Sequence, residues 1–267
     1  MNEKLDKYKC HIAEDIIRAN VYNKRAQEAL EVIKKNFTNF YGPEEADVIV
    51  TLGGDGTMLK TIHHYYNKFE TDDKVFFGYG FGTANFLLNK WDNFGSIHAM
   101  VGNLAQVPIE VARVRSLLVS IEAPNADIRD QLVVNDVVVG GEDLMAWQHF
   151  SVQDSENVFG SFNGTGLIVS TAVGSTGYNK NNGGVVLPLL SSNISITGMG
   201  TNRPIREVIH AQEIKISFDS RMDSYIWIDG NGGKLGPFKE GTVTIKPGPW
   251  LNLGFFDTQE YQIKRRK

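Results

Sequence analysis

Apolar residues recur every three or four positions between residues 11 and 37, a stretch that contains no glycine or proline. This spacing is typical of amphipathic helices, because residues three and four apart lie on the same helix face. We therefore predict a helical region over residues 11–37, with a break near residues 20–23. Gly42 and Pro43 end it.

Two short apolar runs follow, and a glycine-rich turn comes after each of them. Residues 47–52 (DVIVTL) precede the glycines of 53–56, and residues 75–77 (VFF) precede those of 78–82. Short β-branched and aromatic runs of this kind are typical of strands buried on both faces, and residues 57–66 between them have a helical pattern. The order strand, turn, helix, strand predicts an open parallel, Rossmann-like α/β sheet, in which ligands bind at the carboxyl ends of the strands.

The pattern becomes β-rich after residue 106. Short runs of alternating or β-branched residues, separated by turn signals, predict an all-β sandwich with strands at 111–121, 132–139, 147–152, 166–171, 214–218, 225–228 and 243–245. We therefore predict an α/β domain over residues 1–106 and a β-sandwich domain over 107–249. Residues 250–267 form a C-terminal tail that could return to the first domain.

Composition and charge exclude several classes of protein. The 267 residues carry a net charge of −4, which argues against a dedicated nucleic-acid binder, and the single cysteine fits a reducing compartment. No run of about 20 apolar residues and no secretory signal pattern is present, so we expect a cytoplasmic protein that does not bind membranes. Glycine is in excess, with 27 residues and no repeat period, which indicates close approach of backbone to a ligand.

The first candidate site is the segment GGDGT at residues 53–57. The three glycines Gly53, Gly54 and Gly56 leave backbone N–H groups free to face phosphate oxygens. Asp55 could hold Mg²⁺ against those phosphates or accept a proton from an attacking hydroxyl. The alternative is a tight turn in which Asp55 is the N-cap of the following helix. The segment is neither a P-loop, since it lacks the lysine, nor a dinucleotide-binding G-x-G-x-x-G.

The second candidate site is the stretch from Gly164 to Gly184, which is rich in glycine and hydroxyl residues. Ser170, Thr171, Ser175, Thr176 and Tyr178 offer neutral donors, which suit the sugars and phosphates of a nucleotide better than a metal. An ordinary polar loop is the alternative, although a turn needs far fewer residues. In the first domain, Phe86 is a candidate stacking surface for adenine.

These stretches and their order resemble the NAD kinase family over about residues 47–231. The resemblance covers GGDGT, the pair Asn135–Asp136, the run at 166–184, Asn202-Arg203-Pro204 and the segment IDGN at 228–231. GGDGT alone is also similar to the loop of diacylglycerol kinases, sphingosine kinases and phosphofructokinases. The resemblance implies an NAD kinase/diacylglycerol kinase-like fold and a homodimer or homotetramer.

The same resemblance implies a reaction and a set of site residues. The γ-phosphoryl of ATP, or the terminus of a polyphosphate, would move to NAD to give NADP, with Mg²⁺ held mainly by phosphates. Asp55 would activate the adenosine 2′-hydroxyl, and Asn135 and Asp136 would contact the adenosine. The remaining expected nucleotide contacts are Gly53, Gly54, Gly56, Thr57, Phe86, Asn163, Thr165, Thr171, Thr176, Gly177, Tyr178, Asn181, Asp229 and Asn231.

The chain also departs from the family pattern. Thr165 replaces an aspartate, Asn163 an arginine that many members carry, and Ala172-Val173 a Pro-Thr or Pro-Ser pair. Asp136 replaces the usual glutamate with a shorter acid. The second glycine turn reads GYGFGTANF where the family has about G-I-N-x-G-x-L-G-F, which places Gly80 at the family asparagine and Asn85 at the last family glycine. Two alternatives therefore stay open, a lipid kinase of the diacylglycerol or sphingoid type and a non-catalytic nucleotide-binding descendant.

Overall fold

The computed structural model describes residues 8–36, 40–69, 71–90, 95, 96, 99, 108–142, 147–154, 158–230 and 233–257. The chain divides into two compact units, one of Met1–Arg113 with Leu251–Lys267 and one of Val114–Trp250. No helix in the described part is long and apolar enough to cross a membrane.

The first unit contains a parallel sheet with helices on its faces. Its strands are β1 (Cys10–Ile12), β2 (Val48–Gly53), β3 (Val75–Gly80) and β4 (Asn89–Lys90), and its helices are α1 (Glu14–Ala19), α2 (Lys24–Asn36) and α3 (Asp55–Tyr66). β2 lies between β1 and β3, and residues 252–254 pair in parallel with β3. This arrangement confirms the predicted parallel α/β sheet.

Helices cover both faces of this sheet, as the alternating side chains of β2 show. Val48, Val50 and Leu52 pack in one apolar cluster with Ile17 of α1 and Leu30 of α2. Thr51, on the other face of β2, accepts a hydrogen bond from Thr61 of α3 at 3.0 Å. Every residue of β2 is buried. A strand covered on both sides has no polar face, which accounts for its continuous apolar sequence.

The prediction of helix from residue 11 onward was wrong at its start. Residues 10–12 are strand β1, paired with Val48–Val50, and helix begins only at Glu14. A strand of three residues is too short to show an alternating pattern, and its pairing partner lies 38 positions away in the chain. The predicted break near residues 20–23 is confirmed, since α1 ends at Ala19 and α2 begins at Lys24.

The second unit is β-rich and antiparallel, as predicted. Its elements are β5 (Glu110–Ala123, which begins in the first unit), β6 (Ala126–Val133), β7 (Asp136–Gly141), β8 (Gln148–Asp154), β9 (Val158–Gly164), β10 (Gly166–Ser170), a 3₁₀ turn (Gly174–Thr176), α4 (Tyr178–Asn181), β11 (Asn193–Met199), β12 (Arg206–His210), β13 (Ile214–Ile228) and β14 (Gly233–Phe255, which ends in the first unit). β13 pairs with β7, β8 and β14, and β7 continues through β10 and β11 to β12.

Candidate functional site

The first cluster of candidate residues lies where β2 ends and α3 begins. Gly54 is the N-cap of α3, and it has no side chain to cap the helix. Asp55 is the first helical residue, so the alternative in which Asp55 caps α3 was wrong. Gly53 lies against Thr57, because a Cβ added at Gly53 would clash with the Thr57 side chain. Gly56 is exposed, and a Cβ added there would meet no other atom within 4 Å.

Asp55 instead faces the loop that follows β3. Its Oδ1 accepts the backbone N–H of Leu87 at 2.7 Å. Burial raises the pKa of the Asp55 carboxyl, and the N–H groups of Leu87, Phe86 and Asn85 oppose that rise. A raised pKa makes this carboxylate a stronger proton acceptor than an ordinary aspartate. Phe86, in the same loop, is half-buried.

The second cluster lies in the β-rich unit around a buried pair of acids. Asp229, in a left-handed conformation (φ 50°), accepts the backbone N–H groups of Val134, Asn135 and Asp136 at 2.9, 2.6 and 3.1 Å. Burial, and then the charge of Asp229, raises the pKa of the Asp136 carboxyl to about 7. Asn135 carries a buried Oδ1 with no hydrogen-bond partner among the described residues. An unsatisfied buried acceptor of this kind suits a ligand donor.

A cavity of about 290 Å³ lies beside this acid pair within the same unit. Three of the predicted site residues line it, namely Asp136, Thr165 and Tyr178. The rest of its lining includes the side chains of Val138, Met199 and Trp227, which sequence reasoning did not select. The alternation of 225–228 could have indicated Trp227, because it places Trp227 on the face opposite the buried Ile226 and Ile228.

The hydroxyl-rich stretch divides into buried and exposed residues. Thr171 is buried, donates to Val134 O at 2.6 Å and accepts the Gly174 N–H at 3.2 Å, so its hydroxyl holds the turn. Thr176 is half-buried, whereas Gly177, Tyr178 and Asn181 are exposed.

A buried asparagine that the sequence did not single out supports this stretch. Asn179 donates to Ser175 O and Val185 O at 3.1 and 3.0 Å and accepts from Thr197 Oγ1 at 2.7 Å. Gly184 leaves room for it, because a Cβ there would clash with the Asn179 side chain.

Other predicted residues lie at the edge of the second unit or outside the described part. Asn163 is exposed on β9, with its Oδ1 3.1 Å from His149 Nδ1 and its N–H donated to Asn202. Thr165 donates to Met199 O at 3.0 Å. Asn231 lies outside the described residues.

Comparison with known proteins gives consistent matches. The ATP-NAD kinase C-terminal domain family matches residues 134–249. The chain is 33% identical to the NAD kinase of Zymomonas mobilis over 183 residues, which cover 68% of this chain and 67% of that protein. It is 30% identical to the NAD kinase of Rickettsia typhi over 190 residues, 70% of each chain.

Two solved structures have the same fold. An NAD kinase from Archaeoglobus fulgidus, in complex with ATP, superposes with a TM-score of 0.67 at 20% identity, over 96% of this chain and 97% of that one. Yeast NADH kinase, complexed with NADH, superposes with a TM-score of 0.69 at 17% identity, over 89% of this chain and 67% of that one. With these sequence matches and this fold, the chain belongs to the NAD kinase family.

Proposed function

We propose that this protein phosphorylates the adenosine 2′-hydroxyl of NAD to give NADP. The observation that carries the proposal is Asp55, an acid of raised pKa two residues after the end of a buried parallel strand, in a chain that belongs to the NAD kinase family. Its side chain is not used to cap α3, and its raised pKa makes it a stronger proton acceptor than an ordinary aspartate.

In this reaction Asp55 accepts the proton of the 2′-hydroxyl while that oxygen attacks the γ-phosphorus of ATP. The new O–P bond forms as the bond to the β,γ-bridging oxygen breaks, ADP leaves, and Asp55 later releases its proton to solvent. Charge on the transferred group is offset by backbone N–H groups of the glycine turn at 53–56. A terminal phosphoryl of polyphosphate would take the place of the ATP phosphoryl.

Recognition of the adenosine falls to the second unit. The unsatisfied Oδ1 of Asn135 would accept a hydrogen bond from an adenine amino group, and Asp136 would bind hydroxyl groups of the ribose. The cavity beside Asp136, with Val138, Met199 and Trp227 in its lining, offers an apolar surface for a ring. Tyr178, 42% exposed, and its neighbours Thr176, Gly177 and Asn181 would contact the rest of the dinucleotide.

Mg²⁺ would enter with the phosphates and offset their charge. Within the described ranges, no group of three or more His, Cys, Asp or Glu side chains could hold a metal ion. Substrate phosphates would supply most of its ligands, as they do for Mg²⁺ in many kinases.

The test is an assay of purified protein with Mg-ATP and NAD that measures NADP. Parallel reactions with polyphosphate as donor, and with NADH or diacylglycerol as acceptor, separate the substrate classes. Phosphorylation of diacylglycerol alone would favour the lipid kinase, and binding of NAD without turnover would favour the non-catalytic descendant. The expected homodimer or homotetramer is measured by light scattering.

Asp55→Asn should lower kcat by about 10²- to 10⁴-fold while leaving the melting temperature close to wild type, because the amide keeps the shape but cannot accept the proton. The matched control is Asp73→Asn, an exposed aspartate before β3, which should leave kcat unchanged. Unchanged NADP formation by Asp55→Asn would contradict the role of Asp55 as the base.

A further inference from the structure

Asn85 has an unusual conformation in the loop that follows β3. It is a non-glycine residue in the left-handed region (φ 54°), yet its side chain is 8% exposed. Both polar atoms of the side-chain amide form hydrogen bonds with the backbone of Gly82. Oδ1 accepts the Gly82 N–H at 3.0 Å, and Nδ2 donates to Gly82 O at 2.6 Å. The amide therefore closes residues 82–85 into a ring of fixed shape.

The end of β3 makes room for this side chain. A Cβ added at Gly80 would clash with the Asn85 side chain, and one added at Gly82 would lie 3.1 Å from Asn85 Oδ1. The same Cβ at Gly82 would lie 3.4 Å from the Cα of Gly54, so the two glycine turns pass close to each other. Gly82, which the Asn85 side chain binds, thus lies beside the turn that precedes Asp55.

The peptide groups that follow this ring face Asp55. Leu87 N–H donates to Asp55 Oδ1 at 2.7 Å, and the N–H groups of Phe86 and Asn85 also stabilise the charged carboxylate. The direction of the Phe86 and Leu87 N–H groups relative to Asn85 depends on the left-handed turn at Asn85, since φ there sets where the next peptide groups point.

We propose that Asn85 is a positioning residue that holds the peptide groups of residues 85–87 against the Asp55 carboxylate. The inference rests on the function proposed above, in which Asp55 is the base. It also links the two departures at positions 80 and 85, because the Asn85 side chain requires the absence of a Cβ at position 80. A family-type asparagine at 80 would occupy the space that the Asn85 amide fills.

Asn85→Gly is the test variant, because glycine accepts the left-handed φ and only the amide is lost. We expect kcat to fall roughly 10- to 100-fold, with KM for NAD and ATP within about twofold of wild type, because the base is displaced. Weaker N–H bonds to a carboxylate raise its pKa, so the acidic limb of the kcat–pH profile should move up by about one pH unit.

Two further variants separate positioning from loss of folding. Gly80→Ala leaves Asn85 in the sequence but forces its side chain away, and it should move the acidic limb in the same direction. Asn85→Gly combined with Gly80→Asn returns an amide to the same space and should restore part of the lost kcat. Asp130→Gly, which replaces another residue of positive φ (50°) outside both clusters, is the control and should leave the profile unchanged.

A direct measurement makes the result independent of turnover. In protein labelled with ¹³C at aspartate Cγ, the Asp55 signal is assigned by its absence in Asp55→Asn. Its midpoint should rise in Asn85→Gly and in Gly80→Ala. Unchanged midpoints in both variants would overturn the proposal. Absence of NADP formation by the wild type would refute only the proposed function, because the midpoints would still report the positioning.

Discussion

Asp136→Asn should change how the stability of the protein depends on pH. Asp136 is 7% exposed, and burial, followed by the charge of Asp229, raises the pKa of its carboxyl from 3.8 to about 7. Between these pH values the folded chain holds a proton that the unfolded chain releases. The free energy of unfolding therefore falls as the pH rises through this window, since stability falls wherever the folded state binds more protons.

The size of the effect follows from the same two pKa values. Each pH unit between them changes the free energy of unfolding by about 1.4 kcal/mol, which gives an upper bound of roughly 4 kcal/mol by pH 8. Water and local relaxation screen a buried charge, so we expect about 1–3 kcal/mol. The Asp136→Asn variant avoids this loss, because its amide stays neutral at every pH. The variant should equal wild type near pH 4 and exceed it above pH 7.

Urea unfolding at pH 4 to 8.5, followed by tryptophan fluorescence and circular dichroism, measures this dependence. Asp219→Asn is the matched control, because Asp219 is an exposed aspartate on β13. The control should follow the wild-type curve throughout. The reasoning would be refuted if Asp136→Asn kept the wild-type pH dependence, or if the control gained the same stability above pH 7.

Two other substitutions test the supports of the second cluster. Asp229→Asn should destabilise the protein by roughly 2–4 kcal/mol and weaken NAD binding, because one amide oxygen cannot accept three backbone N–H groups and the new NH₂ faces donors; unchanged urea unfolding would contradict this. Asn179→Ala should cost about 2–4 kcal/mol, because it removes the three hydrogen bonds that this fully buried side chain makes to Ser175, Val185 and Thr197. Its melting temperature, compared with that of the exposed Asn181→Ala, measures the loss.

Local pattern was sufficient for the elements beside Asp55. The predicted strand over 47–52 is β2 at Val48–Gly53, the helix over 57–66 is α3 at Asp55–Tyr66, and the strand over 75–77 is the start of β3. The residues of each element are enough to predict it, because a strand buried on both faces is a continuous apolar run and glycines occur where the chain must turn. The helix begins at Asp55, two residues before the predicted start, and its N-cap is Gly54, which has no side chain that could have indicated a cap.

Long-range pairing was harder to predict. The runs at 214–218 and 225–228 were interpreted as two strands, whereas both belong to β13, whose pairing with β14 shifts register between Asp219 and Ser224. The polar residues of that irregular segment interrupt the alternation without ending the strand. β11 and β12, at 193–199 and 206–210, were not predicted, although β11 pairs with β10 over five residues.

The candidate site shows the same limit. Sequence identified Asp55, Asn135, Asp136 and Asp229 as residues of interest, yet not the bonds that set their chemistry. Asp229 lies 93 to 95 positions from the three N–H groups that it accepts, and Asp55 lies 32 positions from Leu87. Nearly every residue type has a backbone N–H group, so a sequence motif cannot indicate which of these groups bind a given side chain. The roles of these residues in NAD binding and turnover stay predictions.

Gly80 and Asn85 show why departures from a family pattern must be judged in three dimensions. Considered one at a time, the first removes a side chain that could contact a nucleotide, and the second places a side chain at a left-handed position that favours glycine. In the structure the two changes compensate, because the absence of a Cβ at 80 gives the Asn85 amide its space. That amide bonds Gly82 twice, and the resulting loop still directs N–H groups at Asp55. The two departures are therefore judged together, because the side chain at position 85 fills the space left open at position 80.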